Sequence, residues 1–401
     1  MALNKYLVSA LMATGMAAAA SSESPSRDRA TQISSQSDAD ALQGCQKISG
    51  DIAIQSSVQT PLTFSGIQSV SGSFTAAGAT NISSISAPSL TSIGDEFSLK
   101  QVNQLTSLSF PKLTSVGSIT FVTLPNLQLL GFNDGINSAG SVSITDTGLT
   151  SLQGIELDSV GNFDLTANTA LVEVNVNNIK NISGLLTISS NNNKLVIDFP
   201  NLVSAQNMSF MNSSTISVPS LANLTGSLGL FGNYISNFSA PNLTTCDDLS
   251  FDSNGELSKI NLPKLETLSG GLSISNNGKL DTIDLPALAT VLGAIDVTGS
   301  FSNLTLPSLK YVKGGFNAQS TNNFSCSNFQ SEANGGDIIH GTYNCTSTAT
   351  PTTIDGSSGS NSTSSGSSSS SATSSGAAVG NIVVPTMGFT AVLGALLSML
   401  M

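Results

Sequence analysis

The sequence predicts an all-β fold: a single parallel β-helix-like solenoid of about thirteen 22-residue coils. Three observations predict it. The first is self-similarity: the apolar residues Leu257, Ile260, Leu262, Leu265, Leu268, Leu272 and Ile274 recur 23 residues later as Leu280, Ile283, Leu285, Leu288, Val291, Ile295 and Val297. They recur again 21 residues on as Phe301, Leu304, Leu306, Leu309, Val312, Phe316 and Ala318. A unit that repeats at this period cannot bury its apolar face alone and must stack on its neighbours. The second is a proline after the third apolar residue of each line, Pro263, Pro286 and Pro307, which ends a strand where a missing N–H costs least. The third is alternation. Pairs such as Ile52/Ile54, Phe97/Leu99, Ile119/Phe121, Leu186/Ile188 and Leu272/Ile274 have the period of two that marks a strand, and no 3.6-residue pattern fills the rest of a coil.

Residues 1–20 read as an export signal: Lys5 supplies the positive start, Tyr6 to Met12 the apolar centre, and Ala17 to Ala20 the small-residue cleavage region. Residues 21–44 are polar, with Arg27, Asp28, Arg29 and Asp38, and read as a flexible segment that buries no core. Residues 45–325 carry the period. Its marker residue falls at Cys45, Ile67, Leu90, Leu113, Ile136, Leu157, Ile179, Leu202, Leu221, Leu243, Leu265, Leu288 and Leu309, with the coils at Ile136 and Leu221 the weakest. Coils about 4.8 Å apart would make a rod of roughly 60 Å.

A turn residue recurs after the first strand of each coil: Asn103, Asn126, Asp146, Asn168, Asn191, Asn212, Asn233, Asn254, Asn277 and Ser300. Asn tolerates left-handed backbone angles and bonds to nearby backbone. The expectation is an amide ladder running from coil to coil.

Residues 326–345 read as a cap over the last coil, closed by a disulfide between Cys326 and Cys345. The other two cysteines lie nine coils apart, on the order of 40 Å along the stack, too far for a bridge. Cys246 occupies an inward slot and is expected to be a buried thiol. Residues 346–376 are nearly all Ser, Thr and Gly, the composition of an O-glycosylated stalk. Residues 377–401 end in an uncharged apolar run. Small residues, a spacer and such a tail define a glycolipid (GPI) attachment signal, with Gly376, or else Ser375 or Ser374, as the attachment residue.

Composition excludes more than it selects. Only 9% of residues are charged, the net charge is -12, and the 13 basic residues form no stripe that could neutralise a phosphate backbone, so nucleic acid is not an expected partner. N-linked acceptor motifs occur at Asn81, Asn181, Asn207, Asn212, Asn223, Asn237, Asn242, Asn303, Asn323, Asn344 and Asn361. No Ser-His-Asp, metal-spaced or phosphate-cradling arrangement is visible, and the one histidine, His340, lies in the cap. The best acidic cluster, Asp247, Asp248 and Asp252, is not echoed on the next coil, where Ser273 and Ser275 flank the equivalent strand. Neither catalytic residue, cofactor nor metal is assigned.

The export signal, an early Cys followed by ISGDIAI at residues 48–54, the repeated LPxLxxΦ units, a Cys-containing cap, a Ser-rich stalk and a GPI tail together resemble the fungal GPI-anchored cell-wall organisation family, which includes sporulation-specific wall proteins. The resemblance covers nearly the whole chain. It implies receptor L-domain-like, leucine-rich-like repeats in a plasma-membrane and cell-wall glycoprotein with no catalytic residue to carry over. The partners it implies are wall glycans, wall proteins, and the membrane through a GPI lipid. Two other readings stay open: a receptor-like module binding a ligand, and a wall polysaccharide hydrolase of β-helix type with the Asp247, Asp248 and Asp252 cluster.

Overall fold

The computed structural model describes residues 30–327, 329–330 and 338–352. The export signal, the Ser-rich stalk and the GPI attachment residues lie outside them. The described residues belong to a unit running to Thr352.

That unit is a parallel β-solenoid. One broad 23-stranded sheet takes a short and a longer strand from most coils, the two being continuous in Ser92–Lys100, Ser115–Leu124, Asn181–Ser189 and Ser204–Met211. The short strands include Ser69–Val70, Thr245–Cys246, Thr267–Leu268 and Thr290–Val291; the longer ones include Ile52–Ile54, Phe74–Ala77, Leu249–Asp252 and Leu272–Ser275. Every pairing is parallel, as in Leu249 on Leu272 and Phe251 on Ile274, and the register shifts only between Val116 and Ser118 and between Ile182 and Leu185. The opposite face is built of shorter pieces: two three-stranded and two two-stranded sheets. It lapses between Ser109 and Glu173, where the weakly patterned coil at Ile136 turns through Gly131, Gly135 and Gly154 at positive φ.

Alternate residues of both faces point inward and form one apolar core. Phenylalanines stack through it along the coils, with Phe74 and Phe97 edge to face at 5.5 Å and Phe97 and Phe121 at 5.2 Å. This is the burial that a single 22-residue coil cannot achieve.

The stack extends one strand beyond the expected period at each end. Thr31–Ile33 pairs with Ile52–Ile54, and a helix, Gln36–Asp40, follows it. The expectation of a flexible segment over 21–44 is therefore corrected from Ala30 onward. Few apolar residues suffice there, because Ile33 and Ala39 reach the core and the backbone is satisfied by the next coil. The amide of Gln36 closes the first strand of the opposite face, donating to Thr63 O at 2.8 Å and accepting from Thr63 N at 2.8 Å. At the other end Tyr343–Thr346 adds the last strand on Phe316–Ser320, and Cys326 and Cys345 are bridged with their Cα atoms 5.9 Å apart. The Gln319 amide grips Thr352 N and O there in the way Gln36 grips Thr63.

Two backbone columns set the coil's corners. At the end of most of the longer strands one residue adopts left-handed angles: Gln101, Thr123, Asp146, Ala167, Ser190, Asn212, Ser253 and Asn276 among them. The residue after it faces inward. The ladder therefore runs through Thr147, Asn168, Asn191, Ser213, Asn233, Asn254 and Asn277, all buried. This corrects the expected column at five positions. Asp146 and Asn212 are the left-handed residues themselves, Asn103 and Asn126 are exposed, and Ser300 is only half-buried, donating its Oγ to Gly278 O.

Between the short and longer strands runs a column of glycines that the sequence reading overlooked. Gly117, Gly140, Gly161 and Gly184 are hydrogen-bonded in series, each N–H to the preceding glycine's carbonyl at 2.8 Å for the last three. A Cβ on Gly161 would stand 2.6 Å from Gly140 O, and one on Gly117 2.5 Å from Gly94 O. Only glycine permits coils to approach this closely at the corner.

Candidate functional site

The acidic cluster sits at the edge of the broad sheet's outer face, and its carboxylates are engaged between coils. Asp248 accepts from Gly271 N at 2.7 Å and from Ser227 Oγ at 3.4 Å. Asp247 accepts from Ser269 Oγ at 3.0 Å. Asp252 accepts from Ser275 Oγ at 2.5 Å, Asn276 Nδ2 at 2.8 Å and Ser253 Oγ at 3.0 Å. These oxygens fasten one coil to the next. Asn162 and Asn207 play the same part for Leu185 N and Ser227 N.

Two carboxyls on the outer face are held above the ordinary carboxylate range, Asp164 and Asp296, in both cases chiefly because burial penalises the charge. Asp164 accepts from Ser143 Oγ and Thr166 Oγ1, and Asp296 from Asn317 Nδ2. They occupy distant coils, so they do not form the paired acid and base that glycoside hydrolysis requires. Burial also pushes the Cys246 thiol up to about 12, which leaves it protonated and inert. The His340 ring packs against Tyr311 at a tilt of 48°, with ring centroids 4.8 Å apart. Among the described residues no group of three or more His, Cys, Asp or Glu is placed to hold a metal ion.

The asparagine ladder is fully occupied internally. Asn233 Nδ2 donates to Phe210 O at 2.9 Å and to Asn254 Oδ1 at 3.0 Å, and Asn277 Nδ2 donates to Phe251 O at 2.9 Å. It presents no amide to a ligand. Of the N-linked acceptor motifs, Asn81, Asn181, Asn223, Asn237, Asn242, Asn303 and Asn323 are exposed, whereas Asn207, Asn212 and Asn344 are half-buried. Asn361 lies outside the described residues.

What remains outward is the flat face of the broad sheet. Its outward positions from Ser118 to Ser227 are Ser, Thr and Asn with a few apolar residues, and Asp164 is the charge among them. One residue on it is unlike its column. Phe231 stands where neighbouring coils have Met211 and Asp252, and its ring lies over Gly229, where an added Cβ would collide with the ring edge. Sequence reasoning passed over it, although the missing side chain at Gly229 beside an outward Phe was a readable signal.

Comparison with known proteins decides what this surface belongs to. The chain is 48% identical to "Protein ecm33" of Aspergillus fumigatus over 398 residues, covering 99% of each chain. The chain belongs to the Ecm33 family. The model of that family, described as GPI-anchored cell wall organization protein, matches residues 1–43. Within it the chain is also 42% identical to a "Cell surface GPI-anchored protein" of Arthroderma benhamiae, over 86% of this chain and 88% of that one. It is 35% identical to "Cell wall mannoprotein PST1" of Saccharomyces cerevisiae, over 82% of this chain and 74% of that one. No solved structure matches. Ecm33 relatives thus carry wall and surface names, and none of the three names is that of an enzyme.

Proposed function

We propose that this chain is a non-enzymatic GPI-anchored surface glycoprotein that supports the organisation of the fungal cell wall, acting as a rigid scaffold that binds wall glycans or wall proteins along the outer face of its broad sheet. The observation that carries the reading is the 48% identity to an Ecm33 protein over 99% of both chains. The scaffold part rests on the solenoid's construction. Its clustered carboxylates and ladder amides are engaged in coil-to-coil bonds, so the surface offers chiefly hydroxyls for binding and no paired acid and base for cleavage. On this reading the chain is exported by residues 1–20, glycosylated at its exposed acceptor asparagines, and anchored in the outer leaflet through Gly376, Ser375 or Ser374, with residues 346–376 as its stalk.

Deletion of the gene with staining of wall chitin and glucan tests it. Altered walls and heightened sensitivity to wall-perturbing dyes are expected; normal walls would sink the proposal. Incubating the purified chain with glucans tests the hydrolase alternative, since new reducing ends would remove the non-enzymatic part. The receptor-like alternative predicts a normal wall and loss of a response to an external protein.

A further inference from the structure

Between Ser118 and Ser189 the longer strands of four successive coils present a flat strip of hydroxyls. Register sets Thr120, Ser143, Asp164 and Thr187 in one outward column, and Val122, Thr145, Thr166 and Ser189 in the next. Asp164 is the charge in the strip, and its carboxylate is already engaged, by Ser143 Oγ at 3.2 Å and Thr166 Oγ1 at 2.9 Å. The hydroxyls of Thr120, Thr145 and Thr187 differ. Among the described residues they have no hydrogen-bond partner, and none of the three is sealed from solvent. Lys100, beside Val122, is the nearest cation along the second column, and it pairs with Glu96 at 3.9 Å.

The chain's own sugars are directed elsewhere. The exposed acceptor asparagines lie on the short strands, as Asn181 and Asn223 do, on the opposite face, as Asn237 and Asn303 do, or in turns and the cap. Outward positions of the longer strands carry the motif at Asn207 and Asn344, outside the strip and half-buried, where Asn207 Oδ1 receives Ser227 N at 3.0 Å and Asn344 Nδ2 donates to Asn317 Oδ1 at 2.9 Å. The strip is therefore bare of glycan.

On the reading that this chain binds wall material, we propose that the strip is the binding site for an extended, neutral, 1,4-β-linked hexose chain lying along the solenoid axis, one sugar to a coil, with the hydroxyls of Thr120, Thr145 and Thr187 bonding it. Spacing, charge and composition select that ligand. Coils repeat about every 4.8 Å, close to the length of one sugar in a chain whose linkages are equatorial at both ends, whereas 1,3-linked chains curl away from a flat surface. No cation stands on the strip to hold a polyanion, and its carboxylate is spent on Ser143 and Thr166. A protein partner needs aromatic or Arg anchors at the centre of its interface. The strip offers Val122 and Leu185, both half-buried.

The competing explanation is that these hydroxyls only solvate the sheet. Three variants separate the two. Thr145→Asn completes an acceptor triplet with Asp146 and Thr147 and puts a sugar on the strip; Ser107→Asn does the same with Leu108 and Ser109 on the opposite face. Thr145→Val removes one hydroxyl and keeps the β-branched shape. The test is titration calorimetry of the full-length chain, extracted from the cell surface in detergent, against hexasaccharides of β-1,4-linked glucose, β-1,4-linked N-acetylglucosamine and β-1,3-linked glucose, and against α-mannan.

Wild type and Ser107→Asn are expected to bind one of the 1,4-linked hexasaccharides equally, and more tightly than the other two sugars. Thr145→Asn, its added sugar verified by mass, should bind at least tenfold more weakly, and Thr145→Val about fivefold more weakly, both with the wild-type melting temperature. Thr145→Val decides alone where the added sugar prevents folding or is not attached. No binding by wild type, preference for the 1,3-linked glucan or α-mannan, an equal loss in Ser107→Asn, or wild-type affinity in Thr145→Val would each overturn the site. The deletion phenotype stands apart from it: defective walls in the deletion strain, beside a wild-type chain that binds neither 1,4-linked hexasaccharide, remove the strip and leave the wall role. Normal walls in that strain remove the wall role whatever the strip holds.

Discussion

Asn254 and Asn277 share a single oxygen: both the backbone N–H and the Nδ2 of Asn254 donate to Asn277 Oδ1, at 2.9 and 3.1 Å. Asn254 Nδ2 also reaches Leu230 O at 2.9 Å, and Asn254 Oδ1 in turn receives Asn233. One buried carboxamide therefore joins the turns of adjacent coils.

Replacing Asn254 with Ala strands the Asn233 donors and the Leu230 carbonyl in the core. Each buried group left unpaired costs about 1–3 kcal/mol, so Asn254→Ala is expected to lower the melting temperature by several degrees. An exposed change on the same chain, Asn126→Ala, should leave the melt within about a degree. An unchanged Asn254→Ala melt would remove the ladder from the account of stability.

The glycine corner makes an equally sharp contrast. At Gly161 a Cβ meets the Gly140 carbonyl at 2.6 Å, whereas at Gly255 nothing lies within 4 Å. Gly161→Ala must push two coils apart and is expected to cost about 1–3 kcal/mol. Gly255→Ala should be neutral or stabilising. Chemical denaturation of both variants checks the pair, and equal effects would argue that the corner yields easily.

Asp164 gives a pH dependence of determinable sign. Burial raises its folded pKa above the unfolded value, so the folded state binds the proton more tightly. Its contribution to stability is therefore most favourable below the unfolded pKa and declines as pH rises through the folded one. Asp164→Asn, whose Oδ1 accepts from one of the two hydroxyls of Ser143 and Thr166 while its Nδ2 donates to the other, is expected to melt above wild type at pH 7. The difference should close in acid. Melts at pH 3 and pH 7 read this directly; a gap that widens in acid would reverse the sign.

The Cys326–Cys345 bridge closes a loop of 19 residues, worth about 3 kcal/mol by chain entropy. Replacing both with Ser should loosen the end strand Tyr343–Thr346 first. Hydrogen exchange is expected to accelerate there and remain unchanged at Leu249–Asp252, because stacked coils couple mainly to their neighbours. Uniform acceleration along the chain would contradict this.

The fold was legible because alternation and period are read directly from spacing: each apolar residue of the lines that start at Leu257, Leu280 and Phe301 is buried. The candidate site was less so. Asp247, Asp248 and Asp252 looked like chemistry in the sequence and proved to be fasteners, since a carboxylate's use depends on the coil above it. Phe231 looked like an ordinary strand residue, and only its approach to Gly229 sets it apart.

By itself, then, the sequence determined the period, the inward columns and the strand type, because a 22-residue repeat of alternating apolar residues buries its side chains in only one way. The tertiary structure decided which residue of each turn faces inward and which takes the left-handed angle, a choice of one position that separates Ser213 from Asn212. It also decided the close contact at the glycine corner, the capping by Gln36 and Gln319, and the ring of Phe231 lying over Gly229. Those depend on what stands about 4.8 Å away on the next coil, and coils that vary in length place that neighbour at no fixed distance along the chain.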